Sequence, residues 1–421
     1  MIAHPAILTW DGVTARRMAR HALAEPSAEL DPAGVAGLLC GAHAQILTAA
    51  EFSVGRRIAG ATRTDVRRAL WEDRTLVKTF GPRGTVHLLP AADLPMWTGA
   101  LSALPPSAPA HPEGVRFTAG QAAEVIAAIG DALADAGLAG AGLTLAAGLA
   151  GAGPAVAGVE PAVADLAAHG LTVDELTEAI GERCGPWAVE RTMDAFQDKW
   201  PRWRQLTSTA AHRGVLCFGP DRGRKVTYSH PRRWLPGFVP AAGDAALRAL
   251  VRRYLHAYGP ATPRHFARWL AISPRYATEL FGRLAGDVER VELDGEEAWV
   301  AAGDTGTPAE PHRGIRLLPY FDPYVVAGQP RDRLFPGAAA ARALVPSGQA
   351  GNYPVLLVDG VAGGVWHQRR SGRKLTLTVE PLADLTRAQR GELDQEAALL
   401  GRVMEAAVTL TVGPVTVGPH A

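Results

Sequence analysis

The sequence has few cysteines and no long apolar run, and each scarcity argues against a class of protein. Its three cysteines lie far apart and form no C-x-x-C pair, which argues against a zinc ribbon or a redox pair and is typical of a reducing cytoplasm. The longest uncharged stretch covers 24 residues, 136–159, but it holds seven glycines, Pro154 and only four leucines. A membrane span needs about 20 strongly apolar residues. We therefore expect a flexible or loosely helical Gly/Ala-rich insertion over about residues 136–170, and no membrane partner.

Several catalytic motifs are also missing. The chain has no G-x-x-x-x-G-K-[ST], no G-x-G-x-x-G after a strand, no H-E-x-x-H and no G-x-S-x-G. These absences leave no support for nucleotide hydrolysis, Rossmann cofactor binding, zinc proteolysis or α/β-hydrolase chemistry. The N-terminus lacks the basic-then-apolar order of a signal peptide, so a cytoplasmic location is expected.

The composition that is present indicates a globular protein of several domains. The chain has 421 residues, 47% of them apolar and 20% charged, with a net charge of +1. Its cations are very unequal, with 39 arginines against four lysines. This bias matters chemically because the planar guanidinium of arginine grips phosphate through two hydrogen bonds, which lysine cannot do.

The order of predicted elements repeats three times along the chain. Helical patterns are followed each time by two β-rich runs around a turn, which is the plan of a winged helix. A Pro/Gly-rich linker then leads to short strand-like runs that predict a β-barrel-like domain closing with a helix at residues 386–400. We therefore predict an α+β fold of three tandem winged-helix units and a C-terminal β-barrel-like domain, with parts at residues 1–110, 111–240, 241–305 and 312–421.

The first of these units gives several local predictions. Asp31 followed by Pro32 is a typical helix start, because Asp accepts hydrogen bonds at an N-cap and Pro fits the first helical position. Further helices are predicted from Ile46 to Ile58 and from Thr64 to Glu72, with Thr64 as the cap of the second. A hairpin then follows, with a Gly/Pro turn at residues 81–84.

Arginine-rich clusters are the candidate contacts to nucleic acid. Each could neutralise phosphates, or could be only a solvated arginine face. The cluster at residues 369–374 looks like a hairpin tip, where four cations are hard to explain by packing. The members of the three clusters are Arg56, Arg57, Arg63, Arg67 and Arg68; Arg202, Arg204, Arg213, Arg222, Arg224, Lys225, Arg232 and Arg233; and Arg369, Arg370, Arg373 and Lys374.

His43-Ala44-Gln45 lies in the short connection between two predicted helices. On a helix, residues i and i+2 point in different directions, but in a loop or extended segment they can converge. The residues alone leave both a structural and a catalytic role open for this pair.

A longer pattern resembles the AlkZ-like winged-helix DNA glycosylases. The similar runs are LCGAHAQ with the following Ala49-Ala50, LVKT with RGTVHL, LPYFDPY at residues 318–324, and DG with GVW at residues 359–366. They follow in order over nearly the whole chain. The resemblance implies three tandem winged helices with a C-terminal β-barrel, in agreement with the organisation predicted above.

The resemblance also implies an activity and a site. Family members hydrolyse the N-glycosidic bond of N7-alkylated purines, and some remove bulky antibiotic adducts or unhook interstrand crosslinks as self-resistance. Their catalytic motif is Gln-x-Gln, or Gln-x-Asp in the YcaQ-like branch, and this chain has His43-x-Gln45 in its place. Such an enzyme is expected to act as a monomer on double-stranded DNA containing an alkylated purine, without cofactor or metal. The residues predicted to contact DNA are Arg83, His367, Arg369, Arg370, Arg373 and Lys374.

Two alternatives stay open at the level of sequence. Winged helices are most often found in regulators, so a non-catalytic DNA-binding protein, either a transcription regulator or a damage-binding shield, is the rival hypothesis. Asp322 could stabilise a cationic sugar, as carboxylates do in many glycosidic cleavages, but its position before Pro323 favours a turn-forming Asp.

Overall fold

A computed structural model gives the architecture of the chain. It describes residues 5–106, 111–149, 170–194, 198–351 and 353–419, with residues 137–149 described only as part of a helix. The fold is a mixture of α-helices and β-strands, as the α+β prediction requires. Contacts divide the chain into two compact units. The first unit comprises Met1–Leu76, His87–Pro90 and Arg248–Ala421, and the second comprises Val77–Val86 and Ala91–Leu247.

The described residues form the following elements. The helices are α1 (Trp10–Arg20), α2 (Pro32–Leu38), α3 (Leu47–Gly55), α4 (Arg63–Trp71), α5 (Leu94–Ser102), α6 (Ala119–Leu149), α7 (Val173–Cys184), α8 (Pro186–Val189), α9 (Thr207–His212), α10 (Gly243–Tyr258), α11 (Pro263–Leu270), α12 (Pro274–Arg283), α13 (Pro323–Ala327), α14 (Arg331–Leu334), α15 (Ala338–Ala343) and α16 (Arg387–Val403). The strands are β1 (Ala6–Leu8), β2 (Ala42–His43), β3 (Leu76–Phe80), β4 (Val86–Pro90), β5 (Leu171–Thr172), β6 (Arg191–Asp194), β7 (Lys199–Pro201), β8 (Cys217–Arg222), β9 (Lys225–Ser229), β10 (Val288–Leu293), β11 (Glu296–Ala301), β12 (Ile315–Leu318), β13 (Val355–Val358), β14 (Val361–Ser371), β15 (Lys374–Pro381) and β16 (Ala407–Val412).

Side-chain caps explain where the early helices begin. Asp31 caps α2 by accepting a hydrogen bond from the Gly34 amide at 2.7 Å, which confirms the predicted start. The predicted Thr64 cap is wrong. The N-cap of α4 is Thr62, because the Asp65 carboxylate accepts the amide of Thr62 at 2.9 Å and so satisfies an N-terminal donor.

The N-terminal strand joins a distant hairpin. Strand β1 pairs in parallel with β10, which pairs antiparallel with β11. Leu8, Val13 and Val291 share the buried core beside this sheet. Strand β1 is not evident from the sequence, because three residues form a strand here only by pairing with a partner more than 280 residues away.

The C-terminal sheet has five strands in the order β12, β13, β14, β15, β16 and curls into a half-barrel. Helix α16 packs on one of its faces, and Leu317, Trp366 and Leu377 belong to the core between them. The predicted ending in a helix is incomplete. After α16 the chain returns as β16, which pairs in parallel with β15.

The second unit holds α5 to α9 with two small sheets, one of β5, β9 and β8 and one of β6 and β7. Part of the predicted Gly/Ala-rich insertion continues α6 to residue 149, and residues 150–169 lie outside the described residues. None of the helices that the structure describes is long and apolar enough to cross a membrane.

Helices followed by paired strands occur where the repeat was predicted. The groups are α2 to α4 with β3 and β4, α7 to α9 with β8 and β9, and α10 to α12 with β10 and β11. The assignment of these groups to three winged-helix units, and the four-part division of the chain, stay predictions.

Candidate active site and nucleic-acid interface

His43 and Gln45 lie where the chain leaves β2 and bends into α3. Strand β2 pairs antiparallel with β4, with His43 opposite His87. Gly41 enters the strand at a φ of +95°, and a Cβ there would lie 2.8 Å from a side-chain carbon of Leu89. Glycine is therefore required just before the motif, both for its backbone conformation and for the close approach.

The two residues of the motif differ in exposure. His43 is 8% exposed, and its ring is stacked on Phe321 with a centroid distance of 4.7 Å and an interplanar angle of 27°. A second ring, that of His87, packs edge-to-face with it at a centroid distance of 5.1 Å. Gln45 is exposed in the bend that precedes α3. The site therefore combines a solvent-facing amide with an imidazole held against aromatic rings.

Asp322 is completely buried beside this site. Its carboxylate accepts hydrogen bonds from both terminal nitrogens of Arg57, at 2.8 and 2.9 Å, and from the Ser53 hydroxyl at 2.7 Å. It also accepts the Tyr324 amide at 3.0 Å, as the N-cap of α13. Burial opposes ionisation, but Arg57 and these hydrogen bonds outweigh it and lower the pKa of Asp322 below its usual range. This geometry favours the turn-forming interpretation of Asp322 over direct contact with a sugar.

His21 completes this buried polar group, although no motif in the sequence singles it out. Its backbone carbonyl accepts a hydrogen bond from Nε of Arg57 at 2.9 Å, and its Nε2 lies 3.0 Å from the carbonyl oxygen of Ala257. Burial lowers the pKa of His21 to about 3, and the Arg57 charge adds to the effect. His21 is therefore neutral at pH 7, and only its partners far along the chain distinguish it from a surface histidine.

The cluster at residues 369–374 is a projecting hairpin. Strands β14 and β15 pair from Gly364 with Pro381 to Ser371 with Lys374, which leaves a two-residue turn at Gly372 and Arg373. The inner end is anchored by the buried Trp366, whose indole N–H donates to the Leu318 carbonyl at 2.9 Å. Trp366 therefore occupies a core position.

The cations of the outer end all face solvent. These cations are Arg369, Arg370, Arg373 and Lys374. None of them forms an ion pair with a residue that the structure describes. Arg370 donates to the Gly372 and Met404 carbonyls at 3.0 and 3.3 Å, and these bonds leave its charge uncompensated. Unpaired guanidinium and ammonium groups on a rigid hairpin suit contacts to phosphate.

The two other predicted DNA contacts have different surroundings. His367 is half-buried on β14, and burial together with the neighbouring Arg369 lowers its pKa. It is thus a neutral hydrogen-bonding group at pH 7. Arg83 belongs to the second unit, where it is half-buried in the turn Pro82–Gly84 with a φ of +61°.

The first arginine cluster does not form one phosphate-binding surface. The prediction that it contacts phosphate is wrong for Arg56 and Arg57. Arg56 and Arg57 are 2% and 0% exposed, and their partners are Glu396 and Asp322. Glu51, itself buried, forms an ion pair with Arg63 at 3.0 Å and accepts a hydrogen bond from Nε of Arg67 at 2.6 Å. The arginines of this cluster that reach acids in the interior stabilise the fold.

The second cluster is divided between structure and surface. Arg202 donates to backbone carbonyls of Val115 and Arg116, and Arg222 and Lys225 pair with Glu175 and Asp174. Arg224 and Arg232 are exposed. Among the described residues, no group of three or more His, Cys, Asp or Glu side chains could hold a metal ion.

The sequence and the structure were compared with known proteins, and the matches are to DNA glycosylases. A family model described as "DNA glycosylase AlkZ-like" matches residues 36–143 and 136–403, which include the motif and the hairpin. The chain is 30% identical over 405 residues to an "Interstrand DNA cross-link repair glycosylase" from Streptomyces sahachiroi, covering 94% of this chain and 96% of that protein. The solved structure of the Streptomyces sahachiroi DNA glycosylase AlkZ superimposes with a TM-score of 0.75 at 27% identity, covering 97% of this chain and all of that one.

Proposed function

Because this chain belongs to the AlkZ-like family of DNA glycosylases, we propose that it hydrolyses the N-glycosidic bond of N7-alkylguanine in double-stranded DNA. The observation that carries the proposal is the bend after β2, where an exposed Gln45 follows the ring-stacked imidazole of His43. Its substrates are bulky genotoxin or antibiotic adducts, and similarity to the interstrand DNA cross-link repair glycosylase of Streptomyces sahachiroi extends the proposal to interstrand crosslinks.

The chemistry needs only weak catalytic groups. A purine alkylated at N7 carries a formal positive charge and leaves readily when the bond from C1′ to N9 breaks. The bonding electrons go to the purine, and a water molecule forms the new bond to C1′. Gln45 holds this water through its side-chain carbonyl, and neutral His43 accepts the water proton.

DNA is held by the hairpin and by flanking groups of other elements. Arg369, Arg370, Arg373 and Lys374 contact phosphates, and this role is supported by their exposure and by the lack of an ion pair to any residue that the structure describes. His367 contributes a neutral hydrogen bond beside them, and Arg83 contacts DNA from its own turn. We propose that the three groups of helices and strands are winged-helix units and that one chain acts alone, in the cytoplasm.

Asp322 has a supporting role in this proposal. All of its hydrogen bonds go to groups of the protein, and its carboxylate is 0% exposed. It fixes the turn that carries Phe321 and does not touch the sugar. The oxocarbenium-like sugar is stabilised directly by His43 and Gln45 and by groups of the DNA.

An assay for base release separates this proposal from its rival. The purified protein is incubated with a duplex carrying one N7-methylguanine, and alkali then converts any abasic site into a strand break. Strand cleavage at that position is the expected result. Tight binding without cleavage, unchanged in His43→Gln, would instead indicate a damage-binding shield. Preference for one undamaged sequence would indicate a regulator.

A further inference from the structure

The ring over His43 belongs to a residue with an unfavourable backbone. Phe321 has a φ of +56°, in the left-handed region that a bulky side chain rarely adopts. It occupies the third position of the turn Pro319–Asp322, which the Asp322 amide closes on the Pro319 carbonyl at 3.3 Å. Glycine is the usual residue at a turn position with positive φ, so an aromatic residue there needs a compensating role.

The surroundings hold this conformation in place. On one side of Phe321, Asp322 is fixed by Arg57, Ser53 and the amide of Tyr324. The ring itself lies against Gly351, where a Cβ would approach its edge carbon to 2.5 Å. Gly351 also has a φ of +122°, so both its backbone and the adjacent ring favour glycine. The chain thus gives up the backbone preference of Phe321 and keeps position 351 free of a side chain, and both features hold one ring at the motif.

The position of that ring agrees with a catalytic purpose. It stacks on the imidazole of His43 at 4.7 Å and 27°, close to parallel, so it restricts rotation of the imidazole about its bond to Cβ. A base must keep its nitrogen aligned with the proton that it accepts, and a small misplacement costs much of the rate. We propose that Phe321 is a positioning residue that holds the imidazole of His43 in the orientation needed for proton transfer. This inference rests on the proposed role of His43 in hydrolysis.

The main test compares Phe321→Leu, which removes the ring, with Phe321→Tyr, which keeps it. With protein in excess over a duplex containing one N7-methylguanine, the excision rate of Phe321→Leu should fall roughly 10- to 100-fold while the affinity for DNA is unchanged. Phe321→Tyr should retain most of the wild-type rate. Phe266→Leu serves as the matched control, because this ring is buried in α11 and is outside the site. It should lower thermal stability without slowing excision at a temperature where the protein is folded.

A double-mutant cycle distinguishes positioning from general damage to the fold. If Phe321 acts through His43, the variant His43→Ala/Phe321→Leu should be no slower than His43→Ala alone. Equal rate losses in both backgrounds would overturn the inference, as would a wild-type rate in Phe321→Leu. If Phe321→Leu does not fold, Phe321→Met replaces it in the cycle, because the flexible methionine side chain adapts to the space of the ring without restoring an aromatic face.

A spectroscopic measurement reads the stack without relying on activity. In NMR spectra of the protein labelled at histidine, the ring protons of His43 should move downfield in Phe321→Leu, because the shielding by the stacked ring is lost, and should stay in place in Phe321→Tyr. Unchanged signals would contradict the stack.

If His43→Ala excises as fast as wild type, the proposed role of His43 fails and the positioning role fails with it. If His43→Ala is slow and Phe321→Leu is not, only the inference about Phe321 fails.

Discussion

Two arginine-rich segments of the first unit look alike in sequence and have opposite environments. In the segment at residues 56–68, Arg56 and Arg57 are buried and paired with carboxylates. In the segment at residues 369–374, the cations project from a hairpin and no ion pair involves them in the described chain. Charge density alone therefore does not identify a surface for DNA. What distinguishes the segments is whether the rest of the chain supplies acids.

The buried arginines depend on partners that are remote in sequence. Asp322 follows Arg57 by 265 residues, and Glu396 follows Arg56 by 340. Taking a charge out of water is costly, and these carboxylates supply the opposite charge that offsets the cost for each arginine. The hairpin cations remain hydrated and keep their charge available to phosphate.

Removing an acid from the buried segment should have the largest effect. Asp322→Ala leaves the Arg57 guanidinium buried without its carboxylate, so we expect a loss of about 3–5 kcal/mol in the free energy of unfolding. Urea denaturation of the variant and of wild type measures this loss. A change below about 1 kcal/mol would show that the segment does not depend on the pair.

A matched double variant sharpens this test. Arg57→Met/Asp322→Leu removes both charges and leaves apolar groups, so it should be less destabilised than Asp322→Ala. A double variant that is less stable than the single one would indicate that the pair contributes more than compensation of two buried charges.

Removing the exposed cations should affect binding and leave stability nearly unchanged. The variant with Ala at positions 369, 370, 373 and 374 should bind duplex DNA roughly 100-fold more weakly, because fewer counterions are released when fewer phosphates are neutralised. The slope of log affinity against log salt should become less steep by about 3–4, at about 0.9 for each phosphate that is no longer neutralised. Fluorescence anisotropy over a salt series measures both, and the free energy of unfolding should change by less than about 0.5 kcal/mol.

A charge-matched control separates local contact from net charge. Ala at Arg248, Arg275, Arg290 and Arg313 removes four exposed arginines outside the hairpin, each of which has an acidic neighbour. This control should retain most of the affinity and of the salt slope. An equal loss of affinity in both variants would mean that only the total charge matters.

Low pH should reduce the free energy of unfolding, because His21, which contacts the buried Arg57, is protonated more easily in the unfolded chain. The unfolded chain binds a proton at a pKa near 6.5, whereas folded His21 does so only at about 3. Protonation between these values therefore favours the unfolded state, and stability falls as the pH falls from 6.5 toward 3. At pH 5 the loss from this one group is about 2 kcal/mol relative to neutral pH, at about 1.4 kcal/mol per pH unit.

The variant His21→Gln removes this titration and keeps a polar side chain. Between pH 6.5 and 5, its free energy of unfolding should fall by about 2 kcal/mol less than that of wild type. The hairpin variant should keep the wild-type slope. Parallel curves for wild type and His21→Gln would contradict the assignment.

The smallest expected effect concerns the start of α4, which carries Arg63, Arg67 and Arg68. Asp65→Ala removes the acceptor for the Thr62 amide and should cost about 1 kcal/mol. Thr64→Ala removes only a hydrogen bond to Glu405 on an exposed surface and should cost less than about 0.5 kcal/mol. Thermal unfolding of the two variants compares the observed cap with the one predicted from sequence. A larger loss of stability in Thr64→Ala than in Asp65→Ala would indicate that Thr64 is the cap.

The sequence could predict what local chemistry determines. Asp31 and Pro32 mark the start of α2, and alternating residues with a short turn mark the hairpin of β14 and β15. The motif of His43 and Gln45 was recognised through a family resemblance, because its residue types alone do not separate catalysis from structure. Strands β1 and β16 were not predicted, since each pairs in parallel with a strand whose position only the fold determines.

The surroundings of the motif were also beyond local reasoning. Phe321 lies within the run LPYFDPY, but nothing in that run indicates that its ring covers a histidine 278 positions earlier. Likewise, the residue types of Arg57 and Asp322 suggested a phosphate contact and a turn, while their pairing in the interior follows from the packing of α3 against the loop before α13. Long-range contacts of this kind decide which charges are buried.

The most direct test of the proposed chemistry is excision under protein excess by wild type, Gln45→Ala and the hairpin variant on one duplex containing N7-methylguanine. Gln45→Ala should be slower by about 100-fold or more at unchanged affinity, because the water no longer has its acceptor. The hairpin variant should recover the wild-type rate once its concentration exceeds its weakened dissociation constant. Excision by Gln45→Ala at the wild-type rate would contradict the assignment of chemistry to the bend after β2.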